Sequence, residues 1–132
     1  MRILLLGNKG MLGNAIWKYF RKEHPNFILE TITDRWPEDN FLDEIYNFKG
    51  DYIINCIGSI PQKNDKFEIN YKLPIWLDNN AICSIIHPGT DCEMDNDNYG
   101  ISKKKAADYI ANYGNKTKIL KTSIIGHEDY SS

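Results

Sequence analysis

Short apolar runs alternate along this chain with segments whose apolar residues recur every three or four positions. That alternation restricts the fold more than any single motif does. Residues 2–6 form an apolar run (Ile3, Leu4, Leu5, Leu6) closed by Gly7, as expected for a strand buried on both faces. From Met11, the positions Met11, Leu12, Ala15, Ile16, Tyr19 and Phe20 share one side of a helix. His24-Pro25 ends it, because the residue before a proline is pushed out of the α region. The cycle then repeats. A strand rich in β-branched residues is predicted over 27–33, and a short helix carries Phe41, Leu42, Ile45 and Tyr46 and stops near Gly50. A third strand covers 52–57 and a polar loop 59–66. A helix over 68–80 turns Ile69, Leu73, Trp76 and Leu77 inward, with Pro74 either kinking it or sitting in its first turn. A strand over 82–87, a helix from Tyr99 through Ala111 and a strand over 118–125 complete the series. Apolar strands alternating with helices predict an α/β fold, a parallel sheet with helices on both sides.

The chain has 132 residues, room for a single domain over 1–132. With 42% hydrophobic and 26% charged residues, wholesale disorder and fibrous classes are excluded. A net charge of -2 leaves no electrostatic footprint for nucleic acid. No apolar run approaches the ~20 residues that span a bilayer, and Met1 to Leu6 meets Gly7-Asn8-Lys9-Gly10 where a signal peptide would need small residues for cleavage. Neither nucleic acid nor membrane is expected as a partner. Cys56, Cys83 and Cys92 lack metal-ligand spacing and read as free buried thiols of a reducing cytoplasm. The histidines (His24, His87, His127) are scattered, and no metal site is expected.

Between the first strand and the first helix lies Gly7-Asn8-Lys9-Gly10-Met11-Leu12-Gly13, three glycines spaced by three. In a dinucleotide site one glycine permits a tight turn, one lets backbone amides approach a pyrophosphate and one allows close helix-on-strand packing. The helix N-terminus offers the anion unpaired N–H groups and a positive dipole end. Glycines also serve simply as turns; the strand–loop–helix context favours the dinucleotide. Asp34, after the second strand, suits the hydroxyls of an adenosine ribose and hence NAD, while Arg35 suits the 2′-phosphate of NADP. The two residues leave both cofactors open.

Tyr99-Gly100-Ile101-Ser102-Lys103 sets a phenol and an ammonium four residues apart, neighbours on one face of a helix. A free phenol, with a pKa of about 10, is a poor acid at neutral pH. A nearby cation stabilises the phenolate, so Tyr99 could protonate a substrate carbonyl oxygen while a cofactor delivers hydride. Thr90, just after the fourth strand, stands where open parallel sheets hold ligands, and its hydroxyl could share that oxygen.

These pieces, in this order, resemble the extended branch of the short-chain dehydrogenase/reductase superfamily, and within it the dTDP-4-dehydrorhamnose reductase group of nucleotide-sugar enzymes. The similarity is carried by Ile3 to Gly13, Asp51 to Gly58, Asn70-Tyr71-Lys72-Leu73-Pro74, Gly89-Thr90-Asp91, Tyr99 to Lys103, and Lys121 to Gly126. It implies a Rossmann-like, doubly wound parallel sheet and a reductase or epimerase of a 4-keto nucleotide sugar, with NADP or NAD as cofactor. By the same resemblance Tyr99 is the catalytic acid/base, Lys103 lowers its pKa and holds the nicotinamide ribose, and Thr90 is the hydroxyl partner. The cofactor is implied to lie along Gly7, Lys9, Gly10, Met11, Leu12 and Gly13, Asp34 and Arg35, and the segment Asn55, Cys56, Ile57 and Gly58.

Two departures shape the expectation. The sequence stops shortly after Ile124-Ile125-Gly126, where such proteins continue into a C-terminal region that supplies most of the sugar-nucleotide pocket. Only eight residues separate Thr90 from Tyr99, where they carry a longer loop. A complete cofactor half and a missing substrate half are therefore expected, with a homo-oligomer or a partner chain completing the substrate site. The alternative is an NAD(P)-binding module without catalysis of its own. A sheet left open near Ile119 to Ile125 should pair with another chain or be shielded by the tail.

Overall fold

In a computed structural model, residues 1–57, 68–89 and 98–121 are described. Strands and helices alternate strictly along them: β1 (Arg2–Leu6), α1 (Met11–Glu23), β2 (Ile28–Glu30), α2 (Asp39–Asn47), β3 (Tyr52–Asn55), α3 (Ile69–Asn80), β4 (Ser84–Gly89), α4 (Asn98–Tyr113) and β5 (Thr117–Lys121). The strands form one parallel sheet in the order β2-β1-β3-β4-β5. After β2 the chain crosses back over β1, so the winding reverses between β1 and β3. A crevice opens there at the carboxyl ends of the strands, the usual ligand position in doubly wound sheets.

The period-two alternation of β1 explains why both faces are covered. Leu4 and Leu6, with Ile53 of β3 and Ile85 of β4, bury against Phe41 and Ile45 of α2 and Leu73 and Leu77 of α3. Ile3 and Leu5, with Ile54, pack on the other face against Ile16, Trp17 and Phe20 of α1. The Rossmann-like doubly wound architecture is confirmed.

Several local expectations are corrected. The inward side of α1 runs through Leu12, Gly13, Ile16, Trp17 and Phe20, whereas Met11, Ala15 and Tyr19 are exposed. The rotation follows from Gly13: a Cβ there would lie 2.0 Å from the Gly7 carbonyl oxygen, so this side of the helix must press against the turn. β2 spans three residues rather than the seven of 27–33. It is an edge strand bonded only to β1, with Ile28 exposed. Pro74 is the sixth residue of α3, inside the helix and buried, not in its first turn. Cys83 is a free thiol, only half-buried like Cys56 rather than buried, and burial raises its pKa. The loop over 59–66, Cys92 and residues 122–125 lie outside the described residues. β5 is the opposite edge of the sheet, with Leu120 half exposed.

The start of β5 is tied to α3 by one carboxylate. Asp78 is 1% exposed. It accepts the N–H of Asn115 at 2.8 Å, those of Lys116 and Thr117 at 3.0 Å each, and the Thr117 hydroxyl at 2.7 Å. Burial alone would push the Asp78 pKa up. The hydrogen bonds from Lys116, Asn115 and Thr117 outweigh it and hold the carboxyl below its ordinary value.

Candidate functional site

Three glycines build the turn from β1 into α1, and each meets different surroundings. Gly7 has φ +80°, and a Cβ on it would stand 2.7 Å from the Cys56 carbonyl carbon, so both conformation and packing demand glycine. Gly13 is demanded by the 2.0 Å approach to the Gly7 oxygen. Gly10 differs. Its backbone is extended at φ -76°, and a Cβ on it would meet the Gly7 oxygen at an ordinary 3.6 Å. Among the described residues nothing around Gly10 calls for a bare backbone, so its lack of a side chain suits an occupant from outside the chain.

Gly10 opens the first turn of α1. The Gly10 N–H bonds to the Gly7 carbonyl at 3.1 Å, and the Gly10 carbonyl accepts the Asn14 N–H at 2.8 Å, starting the helix. Gly10 is the N-cap and brings no side chain to the N–H groups that follow, and the first turn carries no acidic residue. Backbone donors and a positive dipole end are thus available to an anion. Exposed Lys9 adds a cation beside them. Leu12 is half-buried and Gly13 is buried against the turn, while Met11 is exposed.

β3 supplies the other wall of the crevice. The Cys56 N–H reaches the Leu6 carbonyl at 2.9 Å, keeping the two strand ends together. Asn55, 2% exposed, accepts the Ile57 N–H on its Oδ1 at 3.1 Å and so turns the chain out of the strand. Its Nδ2 is buried without a hydrogen-bond partner among the described residues. Asn55 shapes this wall from beneath. Cys56 and Ile57 are half-buried, with Cys56 packed toward the α1 face and Ile57 toward α2 and α3.

After β2, Asp34 is half-buried and Arg35 exposed. Because β2 ends at Glu30, these residues stand in a separate turn rather than directly on a strand end. Glu38 closes that turn, taking the Arg35 N–H on its carboxylate at 2.8 Å and giving its own N–H to the Arg35 carbonyl. Tyr99 and Lys103 lie one helical turn apart in the first two turns of α4. Gly58 and Thr90 lie outside the described residues, as do the side chains of Tyr99 and Lys103.

The sequence reading gave no role to the buried polar residues that support this end of the sheet, naming Asn70 only within a family-like segment. Asn70 of α3 is 1% exposed and donates from Nδ2 to the Ser102 hydroxyl oxygen of α4 at 3.2 Å. Spacing was the available signal: Asn70 precedes Leu73 and Leu77 by three and seven, which places it on the inward face of α3. A shallow pocket of about 250 Å³ between β2 and α2, lined by Arg2, Glu30, Thr31, Asp43 and Phe48, lies away from the glycine turn. It holds none of the expected site residues. Among the described residues no His, Cys, Asp and Glu cluster could hold a metal ion, and no helix is long and apolar enough to cross a membrane.

The glycine turn, the uncapped helix N-terminus and the ends of β1 and β3 thus lie together at one end of the parallel sheet. A scan against protein-family models and a search of curated proteins find no match. Solved structures do match. The chain is similar to the ADP-L-glycero-D-manno-heptose-6-epimerase of Helicobacter pylori, with TM-score 0.71 and 14% identity over 89% of this chain and 53% of that one. A short-chain dehydrogenase/reductase superfamily protein of Agrobacterium tumefaciens with bound NAD gives TM-score 0.71 and 15% identity over 92% of this chain and 48% of that one. A dTDP-4-dehydrorhamnose reductase of Clostridium acetobutylicum gives TM-score 0.60 and 23% identity over 92% and 52%. This chain therefore shares the fold of these structures, and it spans about half the length of those it matches.

Proposed function

We propose that the chain binds a nicotinamide dinucleotide, NADP or NAD, with its pyrophosphate on the Gly7–Gly13 turn. The reading rests on Gly10, the glycine for which the surrounding protein has no steric need. In this reading Asp34 and Arg35 serve the adenosine ribose, and the segment Asn55, Cys56, Ile57 and Gly58 serves the cofactor from the β3 side. When bound, the nicotinamide supplies hydride chemistry. Tyr99 then gives its phenolic proton to a substrate carbonyl oxygen, Lys103 stabilises the phenolate, and Thr90 donates a hydroxyl to the same oxygen.

The reaction best supported is reduction or epimerisation of a 4-keto nucleotide sugar, of the dTDP-4-dehydrorhamnose reductase kind. What supports it is the ordered Thr90, Tyr99 and Lys103 set, together with a fold likeness to sugar-nucleotide enzymes. A second copy or another chain would complete the sugar side. Calorimetric titration with NADH, NADPH and their oxidised forms tests the binding. Oxidation of the reduced cofactor with 4-keto nucleotide sugars, compared with a Tyr99→Phe variant, tests the chemistry. Binding without turnover, unchanged by Tyr99→Phe, would identify a non-catalytic module. Failure to bind any nicotinamide dinucleotide would remove the proposal entirely.

A further inference from the structure

We propose that the open edge of β2 and the pocket beside it form a docking site for an extended basic segment of another protein. The segment pairs with the backbone of β2 and seats one lysine or arginine side chain against α2. The site shares no residue with the proposed dinucleotide cradle and stands or falls without it.

The backbone comes first. β2 is bonded only to β1, and the Ile28 N–H is spent on the Met1 carbonyl at 2.8 Å. Alternate residues of a parallel strand face the same neighbour, so Ile28 and Glu30 turn their backbone groups to β1 and Leu29 turns its own to the open side. Such an edge is a template for a further strand. Glu30 is in register with Leu4, whose side chain lies on the α2 face of the sheet. A residue set opposite Glu30 on an added strand therefore points to that face, while its two neighbours meet the Leu29 and Thr31 backbone.

The pocket lies on that face. α2 packs through Phe41 and Ile45 against β1, β3 and β4, leaving about 250 Å³ between itself and β2. That is below the ~300–1,000 Å³ of small-molecule sites, and it suits one long side chain. Charge then selects the occupant. Glu30, Asp43 and Glu44 line the pocket with Arg2 as the one cation. Arg2 is engaged by both oxygens of Glu30, and its guanidinium lies 5.1 Å from the centre of the Phe48 ring, so a cation over this aromatic wall is already accommodated. α2 carries no lysine or arginine, and among the described residues neither Asp43 nor Glu44 has an ion-pair partner. An aliphatic stem against Phe48 with a cationic head on these carboxylates fits both surfaces. A second copy joined β2 to β2 is disfavoured, because it sets two negative pockets side by side.

The test is titration of the 15N-labelled protein, followed by its amide resonances, with the peptide acetyl-Thr-Val-Lys-Val-Thr-amide at low salt. The Leu29 and Thr31 amides should shift and saturate, and the Leu29 N–H should exchange with solvent more slowly in the complex. Replacing the peptide lysine by glutamate should weaken binding at least about tenfold, and so should the double variant Asp43→Asn with Glu44→Gln, whose two positions are exposed. N-methylation of both peptide valines, which removes the strand-pairing N–H groups and keeps the lysine, should also weaken it at least about tenfold. No saturable shift at Leu29, or shifts centred elsewhere on the protein, overturns the site. Equal affinity for the glutamate peptide, or for the double variant, overturns the basic occupant. Undiminished binding of the N-methylated peptide overturns strand addition.

Discussion

Two places in this molecule gather backbone N–H groups in a tight turn, and they are finished in opposite ways. At residues 115–117 the donors converge on the buried Asp78 carboxylate, so the chain supplies its own anion. At Gly10 and the first turn of α1 no side chain among the described residues caps the donors, and no acidic residue follows. The first arrangement closes a structural joint between α3 and β5. The second has the same physics with the anion omitted, which is what a binding site for an external diphosphate requires.

Substitutions at the two places should separate stability from binding. Gly13→Ala drives a Cβ into backbone at 2.0 Å and is expected to cost about 3 kcal/mol or more, read by urea denaturation. Asp78→Ala strands three N–H groups and a hydroxyl and should cost about 2–3 kcal/mol in the same assay. A loss under about 0.5 kcal/mol would dissolve the contrast, since exposed positions typically change by no more than that.

Acid sharpens the same point. The folded Asp78 carboxyl lies below its unfolded value of about 3.9, so its stabilisation is complete above that pH and lost as pH falls through the folded value. The denaturation midpoint should therefore drop below about pH 4, and the drop should be shallower in Asp78→Asn.

Gly10→Ala should do the reverse of Gly13→Ala. Its expected stability change is under about 1 kcal/mol, the scale of an N-cap exchange, while dinucleotide affinity falls at least about tenfold. Unchanged affinity would show that the open turn is not the cradle. Smallest of all is the Glu68–Lys72 pair on the surface of α3, where Glu68→Ala should leave the denaturation midpoint unchanged within error because water screens both charges.

Much of this was legible along the chain. Apolar runs ending on glycine placed β1 and β3 to within two residues, and the helical period placed α1, α3 and α4. The face of α1 was not legible. Met11, Ala15 and Tyr19 fit a helical stripe as well as Gly13 and Trp17 do, and only the contact of Gly13 with Gly7 selects between them. Nor was β2, whose length depends on having a single neighbour in the sheet. Asp78 was passed over, and Asn70 was named only within a family-like segment, because a polar residue within a helix reads as solvated until the element opposite it is known. Their partners, Ser102 and residues 115–117, lie more than thirty positions away.

By itself, then, the sequence determined what is local: period, chain breaks and the strand–glycine–helix junction, each set by neighbours within about one turn. Only the tertiary structure decided which of three similar glycines is dispensable to the fold and which buried polar groups hold the helices in place. Those answers depend on atoms brought within a few ångströms by the winding of the sheet, and no window along the chain contains them.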